Sequence, residues 1–310
     1  MNKNKNILKV VASCIFNLNL KIEPILIEID VTNKCNLKCL MCPNKKMIRK
    51  KDTMDLSIFK EVINQTSDTA REYSLGIYGE PTLHPDLAEM IEFIKKKGNL
   101  IALNTNLNYH DDALSEQFVR EKVDRVIVTM CGVDKATYEA ISLNGDYNLL
   151  INNLIKINEM KKKLKSRKPV LVGYFTKMKL NANLVNKARI ELKKYFDYCY
   201  IARMHDWAVD KDITSLKIPQ ATCINNKCTV LWTAATVLCD GRVAACCQDY
   251  EGKIILGDAK KTSIKDIWNS SKIKEFRKDY LNSQLCKGCS YPKRFQFSAK
   301  NLGYILRTTV

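Results

Sequence analysis

The sequence predicts an α/β fold, in which six strands alternate with helices and a small cysteine-rich module follows. Short runs of β-branched residues recur between segments whose apolar residues repeat at helical spacing. Glycine, proline and helix-capping residues separate the two kinds of segment. Parallel strands need crossover connections, and the intervening helices supply them. The order of elements therefore indicates βα units built around a mainly parallel sheet.

Each element has its own local signals. Pro24 marks the start of the first strand, and Gly98 ends the second main helix. The predicted strands are Ile25–Val31, Tyr73–Tyr78, Asn99–Thr105, Asp124–Met130, Val170–Thr176 and Tyr198–Ala202. The predicted helices are Asp55–Gln65, Asp86–Lys97, Asp111–Lys122, Lys135–Ile141, Tyr147–Leu164 and Asn183–Tyr195. In the C-terminal module, Val230–Leu238 and Arg242–Ala245 are predicted to form a hairpin turned at Asp240-Gly241. A helix is expected after it, with apolar residues at Ile264, Ile267, Trp268, Ile273 and Phe276.

The chain is strongly basic, with 51 Lys and Arg against 33 Asp and Glu and a net charge of +18. Such a charge favours anionic partners, among them phosphorylated or nucleotide-linked substrates, nucleic acid and acidic membrane surfaces. Because the lysines are spread along the chain, a solvated basic surface explains them equally well. The run Lys45–Lys51 is an exception, since it lies near the first cysteines and could meet an anionic substrate. No apolar run approaches the roughly 18 residues of a membrane span, although an amphipathic N-terminal helix could touch a membrane.

Three cysteines follow the first strand directly, at Cys35, Cys39 and Cys42. A loop this short cannot pair them as unstrained disulfides. It can wrap three thiolates around one iron–sulfur cube and leave one of the four irons open. Zinc is the alternative, but zinc usually takes four ligands. Because an oxygen-sensitive cluster needs a reducing compartment, we expect a cytoplasmic protein.

This CxxxCxxC spacing resembles the signature of the radical S-adenosylmethionine (SAM) superfamily. The resemblance implies a partial (βα)6 TIM-like barrel, with a [4Fe-4S] cluster whose open iron chelates SAM. Tyr78, Gly79, Glu80 and Pro81 resemble the family's GGE motif, with Tyr78 in place of the first glycine. The motif would supply an acceptor for SAM's ammonium group and a glycine that allows close backbone approach. A tight turn into the next helix would use the same residues.

Further residues at strand ends are candidates for the SAM and substrate sites. Asn104 and Asn106 resemble positions that meet the SAM ribose or the substrate, although short polar residues also cap helices. Cys131 is expected to point toward the cavity, where a thiol can donate a hydrogen atom; a small buried apolar role is the alternative. His205 and Asp206 follow the sixth strand and are candidate catalytic groups.

The C-terminal cysteines resemble the twitch module, a shortened relative of the SPASM domain. The resemblance implies a second, auxiliary [4Fe-4S] cluster held by Cys228, Cys246, Cys286 and Cys289. A zinc ribbon would use the same four thiols. Cys223 and Cys247 are nearby and could replace one of the ligands. The predicted domains are an N-terminal extension (1–22), the barrel (23–215), the auxiliary module (216–295) and a tail (296–310).

The resemblance implies that a 5′-deoxyadenosyl radical takes hydrogen from an unactivated substrate carbon. A fully ligated second cluster has only electron transfer left to it, which suggests two-electron oxidation of a secondary alcohol. The overall plan resembles twitch-bearing dehydrogenases of aminocyclitol pathways, and this implies a carbohydrate or cyclitol substrate. The expected electron donor is of the flavodoxin or ferredoxin type.

Three other functions stay open. One is epimerisation, with Cys131 as hydrogen donor, or Cys199, Cys239 or Cys247 in its place. Another is peptide modification, which is disfavoured because only about two dozen residues precede the first strand, too few for a peptide-binding domain. The last is a non-catalytic iron–sulfur or zinc protein that binds nucleic acid through its positive charge.

Overall fold

A single sheet of nine strands forms the centre of the computed structural model, which describes residues 3–16, 18, 20–205, 207, 211–218, 228–287 and 289. The strands are β1 Leu26–Ile29, β2 Glu72–Leu75, β3 Leu100–Thr105, β4 Arg125–Met130, β5 Val170–Lys177, β6 Tyr198–Arg203, β7 Ala234–Val237, β8 Arg242–Ala244 and β9 Ile255–Asp258. Their order across the sheet is β6-β5-β4-β3-β2-β1-β7-β8-β9. The pairs from β6 through β1 to β7 are all parallel, whereas β8 pairs antiparallel with both β7 and β9. This architecture confirms the predicted parallel α/β fold with a small C-terminal β module.

Helices alternate with the first six strands as the sequence predicts. The described α-helices, including those before and after these strands, are α1 Lys3–Phe16, α2 Leu56–Thr66, α3 Leu87–Lys96, α4 Asp112–Arg120, α5 Lys135–Ile141, α6 Tyr147–Lys163, α7 Val185–Glu191, α8 Lys211–Ser215, α9 Val230–Thr233, α10 Ile264–Trp268 and α11 Ser271–Asp279. Aspartate N-caps at Asp55, Asp111, Asp134 and Asp146 accept backbone hydrogen bonds at the starts of α2, α4, α5 and α6. Such caps satisfy backbone donors that have no partner within the helix.

The two faces of the sheet differ sharply in burial. One face packs against the helices: Ile27, Tyr73 and Leu103 are fully buried, and the Tyr73 hydroxyl lies 2.8 Å from Thr66 Oγ1 in α2. Side chains on the opposite face are more polar, and several are partly or largely exposed. We call this the open face; its residues include Glu28, Ser74, Asn104, Thr129, Tyr174 and Tyr200. Because the strands are parallel, their carboxyl ends meet at one edge, where the loops of the site converge.

Three predicted elements differ from the structure. Residues Val230–Thr233 form the short helix α9, and only Ala234–Val237 continue as a strand. The predicted helix Asn183–Tyr195 is a 3-10 turn, α7 and a second 3-10 turn. The single helix expected through residues 264–276 is broken into α10 and α11, because the Ser270 side chain caps a new helix by accepting from the Ile273 N–H. Local capping thus outweighs a continuous apolar pattern.

The N-terminal helix α1 packs against the protein by a specific contact as well as by its apolar face. The Asn6 amide donates to the Glu23 carbonyl at 2.9 Å and accepts from the Glu23 N–H at 3.0 Å. Val10 and Cys14 are buried beneath the helix, while Leu8 is exposed. Among the described helices, none has the length and apolar character needed to cross a membrane.

Candidate active site

The loop of Cys35, Cys39 and Cys42 follows the carboxyl end of β1, and backbone hydrogen bonds to the end of α5 hold it in place. The backbone N–H groups of Lys38 and Leu40 each donate, at 2.9 Å, to carbonyls at and just after the end of α5. Burial is the main cause that raises the pKa of the Cys35 and Cys42 thiols to about 12, and the nearby Cys39 thiol acts in the same direction. A metal ion that binds these thiols must therefore displace their protons. Three thiols in one loop have the donor chemistry of the three-ligand cluster that the spacing predicts, and their role as its ligands stays a prediction.

Glu80 joins the ends of two strands beneath this loop. One carboxylate oxygen accepts from the Thr105 hydroxyl at 2.7 Å and from the Thr82 hydroxyl at 2.8 Å, and the other accepts from the Asn106 N–H at 2.7 Å. Burial raises the pKa of Glu80, and these hydrogen bonds oppose the rise. Both carboxylate oxygens are thus engaged within the protein. The carbonyls of Tyr78, Glu80 and Pro81 also accept hydrogen bonds within the protein, from Asn44 Nδ2 and from the N–H groups of Leu83 and His84. A role of this motif toward SAM therefore stays a prediction.

Gly79 allows the end of β2 to lie against the cysteine loop. A Cβ at this position would lie 2.1 Å from the Thr32 carbonyl oxygen and 2.5 Å from that of Lys34. The next residue closes the contact, since the Glu80 N–H donates to the Lys34 carbonyl at 2.8 Å. Pro81 then begins a 3-10 turn that Glu80 caps. The glycine is therefore required by the packing of backbone on backbone.

The two asparagines predicted near SAM have different surroundings. The Asn106 amide donates to Asn36 Oδ1 at 2.9 Å and lies 3.9 Å from Cys35 Sγ, so it lies beside the cysteine loop. Asn104 lies on the open face and donates to Ser74 Oγ at 2.8 Å. The structure thus brings Asn106 to the first cysteine loop, and it places Asn104 on the open face of the sheet.

Cys131, expected to point toward the cavity, is buried near the first cysteine loop, where its thiol and that of Cys39 share Ser142 as a hydrogen-bond partner. Its side chain is fully buried, with Sγ 2.9 Å from Ser142 Oγ and near the Tyr138 carbonyl. Burial raises the pKa of this thiol to about 12. The residue follows Met130, which belongs to the helix-facing surface, and it packs beneath α5. A role as hydrogen donor stays a prediction that this location does not favour.

The aromatic residues after β6 connect the barrel to the C-terminal module. Trp207 Nε1 donates at 3.1 Å to the carbonyl of Met41, inside the cysteine loop. The His205 ring lies 5.5 Å from that of Trp207, between ring centroids, and its Nδ1 is 3.5 Å from the Gln248 amide. Asp206, the other catalytic candidate in this segment, lies outside the described residues.

All four predicted auxiliary ligands line one pocket, namely Cys228, Cys246, Cys286 and Cys289. Cys247 lines it as well, whereas Cys223 lies outside the described residues. Burial raises the pKa of Cys228 and Cys286 to about 12. In the described ranges, no group of three or more His, Cys, Asp or Glu side chains forms a ready site for a metal ion. The shared pocket of four thiols has the donor chemistry of a [4Fe-4S] site, and the choice among the five cysteines stays a prediction.

Two residues of the basic run after the first cysteines, Arg49 and Lys51, form contacts inside the protein, whereas Lys45, Lys46 and Lys50 are exposed. Arg49 Nη2 donates at 2.9 Å to Asp30, and its Nε donates at 3.2 Å to the Tyr250 carbonyl. The Glu251 carboxylate accepts, at 3.0 Å each, from the backbone N–H groups of residues 48 and 49. Lys51 donates to the Asn44 side chain at 2.8 Å. This run therefore fastens the cysteine loop to the C-terminal module, a role that the sequence analysis did not predict.

Sequence reasoning also missed a carboxylate on the open face. Glu28 of β1 pairs in register with Ser74 on one side and Thr236 on the other. The Thr236 hydroxyl donates to Glu28 Oε2 at 2.9 Å, and the Cys247 side chain is a second hydrogen-bond partner. Burial raises the pKa of Glu28, and both contacts oppose the rise. The available signal was the alternation of Glu28 and Asp30 with buried isoleucines in the first strand.

Comparisons with known proteins identify the family of this chain. The Radical SAM superfamily profile matches residues 29–175, and SPASM, described as an iron-sulfur cluster-binding domain, matches residues 228–290. The chain belongs to the radical SAM superfamily and carries a SPASM domain. The predicted family is thereby confirmed, with its SAM-binding and auxiliary iron–sulfur clusters; the number of clusters and their ligands stay predictions.

Individual relatives of this radical SAM protein share most of its length. The S-adenosyl-L-methionine-dependent 2-deoxy-scyllo-inosamine dehydrogenase of Niallia circulans is 26% identical over 277 residues, which are 86% of this chain and 92% of that protein. The solved structure of BtrN with AdoMet and 2-DOIA has a TM-score of 0.59 at 21% identity, over 86% of this chain and 92% of the other. Streptococcus suis SuiB bound to its precursor peptide SuiA has a TM-score of 0.66 at 15% identity, over 93% and 74%. At these identities the two structures show a shared fold.

Proposed function

We propose that this radical SAM protein oxidises a secondary alcohol of a carbohydrate- or cyclitol-like small molecule by two electrons. When bound, SAM on the first cluster supplies a 5′-deoxyadenosyl radical, and the auxiliary cluster accepts an electron. The reaction needs one substrate to lie between these two groups. The inosamine substrate in the name of the Niallia circulans relative supports a cyclitol.

The observation that carries this proposal is a short series of contacts between the two cysteine sites. Trp207 donates to Met41 in the first cysteine loop, and His205 lies against Trp207. Gln248 reaches the His205 ring, while its own backbone N–H lies 3.4 Å from Cys246 Sγ in the auxiliary pocket. A substrate beside these side chains has a cysteine site on either side. That arrangement suits hydrogen removal at one site and electron loss at the other.

The chain's own residues have three tasks in this proposal. The cysteines of residues 35–42 hold the first cluster. The close backbone contact at Gly79 keeps the motif Tyr78–Pro81, the proposed SAM-binding segment, next to the cysteine loop. Trp207 and His205 close the cavity and exclude water from the substrate radical. The hydroxyl proton of the substrate leaves to a basic side chain at the strand ends, with His205 and Asp206 as candidates. A flavodoxin- or ferredoxin-type donor and a cytoplasmic location complete the proposal.

Epimerisation is the second candidate, and one contact favours it. It needs an S–H hydrogen donor near the substrate carbon. Cys247 meets Glu28 on the open face, and burial raises the pKa of its thiol well above the ordinary value, which keeps it protonated. Cys247 is therefore a better placed donor than the buried Cys131.

The test uses anaerobic, reconstituted protein with dithionite, SAM and 2-deoxy-scyllo-inosamine as probe. We expect about eight irons per chain, from two four-iron clusters, together with 5′-deoxyadenosine and a ketone product. Replacing Cys35, Cys39 and Cys42 by Ala should halve the iron and abolish SAM cleavage. Recovery of an epimer without ketone would favour epimerisation. Absence of SAM cleavage under all conditions would refute the proposal.

A further inference from the structure

The auxiliary module contains a buried arginine that has no acidic partner among the described residues. Arg277 of α11 is only 3% exposed, and within the described ranges its guanidinium meets backbone carbonyls and an aromatic ring but no carboxylate. Its Nη2 atom is buried and lacks any hydrogen-bond partner in the part of the chain that the structure describes. Burial lowers the pKa of Arg277 to about 10, so the side chain stays protonated at neutral pH. A buried positive charge without a negative partner is costly.

The hydrogen bonds of Arg277 explain its position but not its charge. Nε donates at 2.8 Å to the carbonyl of Leu231 in α9, and Nη1 donates at 3.3 Å to the carbonyl of Trp268 at the end of α10. The guanidinium also lies over the Trp268 ring, 4.8 Å from its centroid. A neutral amide can satisfy such carbonyls, since the adjacent Asn269 side chain donates to two backbone carbonyls at 2.7 Å each. A capping role alone therefore does not require an arginine.

Two contacts connect this part of α11 to the auxiliary pocket. Leu231, whose carbonyl accepts from Arg277, lines the pocket. Tyr280, which follows α11 directly, accepts at 3.2 Å from the backbone N–H of Cys228, one of the four predicted ligands. The buried charge thus contacts the wall of the pocket that holds the thiols. A four-iron cluster with four thiolates is an anion, and a cation enclosed beside it in a low-dielectric interior favours the reduced state.

We propose that Arg277 raises the reduction potential of the auxiliary cluster and so favours electron transfer from the substrate radical. This inference deepens the proposed function and rests on it in taking the auxiliary cluster as the electron acceptor. In that reaction the 5′-deoxyadenosyl radical takes a hydrogen atom from the carbinol carbon. The carbon radical then gives its hydroxyl proton to a base and one electron to the cluster, which leaves a ketone. Arg277 acts through its charge and through Leu231, so it is a positioning residue and not a catalytic one.

An anaerobic redox titration followed by EPR spectroscopy tests the effect of this charge without turnover. The full chain carries Cys35→Ala, Cys39→Ala and Cys42→Ala, so that only the auxiliary cluster contributes a signal. In this background Arg277→Met should lower the midpoint potential by at least about 59 mV, which is a tenfold change in the equilibrium constant for one electron. Arg277→Lys keeps a positive charge at pH 7 and should retain most of the original potential. The g values should stay the same, since the cysteine ligands are unchanged.

Lys278→Met is the matched control, because Lys278 is the next residue of α11 and is exposed. This variant removes a charge that water and salt screen, and it should leave the midpoint potential unchanged. Arg277→Gln covers the case in which Arg277→Met fails to hold the cluster, since the glutamine amide can still donate to a helix-end carbonyl.

Three results would overturn the proposal: an unchanged potential in the neutral variants, an equal loss in Arg277→Lys and Arg277→Met, or a matching loss in Lys278→Met. Loss of the cluster from both neutral variants would also overturn it, because Arg277 would then act as a structural cap alone.

The outcome is separable from that of the proposed oxidation. A charge-dependent shift in potential, without ketone formation by the chain with all its cysteines, would leave the role of Arg277 standing and refute the oxidation. Ketone formation with no shift in potential would do the reverse.

Discussion

Replacing Arg49 by methionine should destabilise the fold by about 3–5 kcal/mol, the usual cost of removing one partner of a buried ion pair. The side chains of Arg49 and Asp30 are 6% and 0% exposed, and their atoms Nη2 and Oδ2 are 2.9 Å apart. Methionine keeps an unbranched apolar stem and removes the guanidinium. Asp30 then loses the cation that donates to it and keeps only the weaker influence of Lys51, and the Tyr250 carbonyl loses its hydrogen bond from Arg49.

The pH dependence of this loss has a definite sign. Burial already raises the pKa of Asp30 from its ordinary value of 3.8, and Arg49 opposes the rise. Without Arg49 the pKa rises further, so that above pH 4 the folded state holds a proton that the unfolded state has released. Stability then falls as pH increases through this window, because the folded state binds more protons. The variant should therefore lose more stability at pH 8 than at pH 5.

Urea unfolding at both pH values, followed by circular dichroism, measures the effect. Asp30→Asn in the Arg49→Met background should recover part of the loss, since it removes the uncompensated charge. Lys50→Met is the control: Lys50 pairs only with Asp52 on the surface, with 85% of its side chain exposed, and should show no measurable change. A loss below about 1 kcal/mol, or one equal at both pH values, would refute the reasoning.

Three further predictions concern the site. Gly79→Ala should abolish loading of the first cluster, measured as iron per chain, because its Cβ would lie 2.1 Å from a backbone oxygen. Gly98→Ala is the control, because Gly98 has φ +73 but no atom within 4 Å of the added Cβ. This control should lose only about 1 kcal/mol of folding stability and load its clusters normally. Glu80→Gln removes one acceptor from a buried network and should cost about 1–3 kcal/mol in urea unfolding and weaken SAM binding in calorimetry. An unchanged SAM affinity would show that Glu80 only connects the two strand ends and has no role in SAM binding. Cys131→Ala should retain ketone formation in a product assay, and loss of product with SAM cleavage intact would contradict the buried, inactive role.

Local signals were sufficient to predict the barrel. Each βα unit has its own cap or turn residue, and Asp111 and Asp146 cap the helices that the sequence predicts after them. The boundaries of the first six predicted strands agree with the structure to within three residues at each end. Where prediction failed, as at Val230–Thr233 and at the break near Ser270, a few residues decided between two local structures.

Contacts between distant segments could not be predicted. Nothing local in Ala234–Val237 indicates that it pairs parallel with β1. The ion pair of Arg49 with Asp30 likewise depends on how a loop returns to the first strand, so the sequence suggested only a solvated surface or an anionic substrate for the basic run.

For the site, cysteine spacing located the metal-binding loops because ligand chemistry constrains them locally. The environments of single residues were not available in the same way. Cys131 was expected in the cavity from its position after a strand, yet its side chain is fully buried against Tyr138 and Ser142. Glu28 was overlooked because its significance comes from neighbours on β2 and β7.

The pairing of β1 with β7 has a consequence for biosynthesis. β1 leaves the ribosome early, and β2 covers only one of its edges. At about 5–20 residues per second, β7 follows on the order of ten to forty seconds later. During that interval the nascent chain displays a free edge of Leu26, Ile27 and Ile29, the kind of edge that recruits other chains. Translation through the SPASM segment thus sets how long this protein is exposed to aggregation, and truncations that remove β7 should make the exposure permanent.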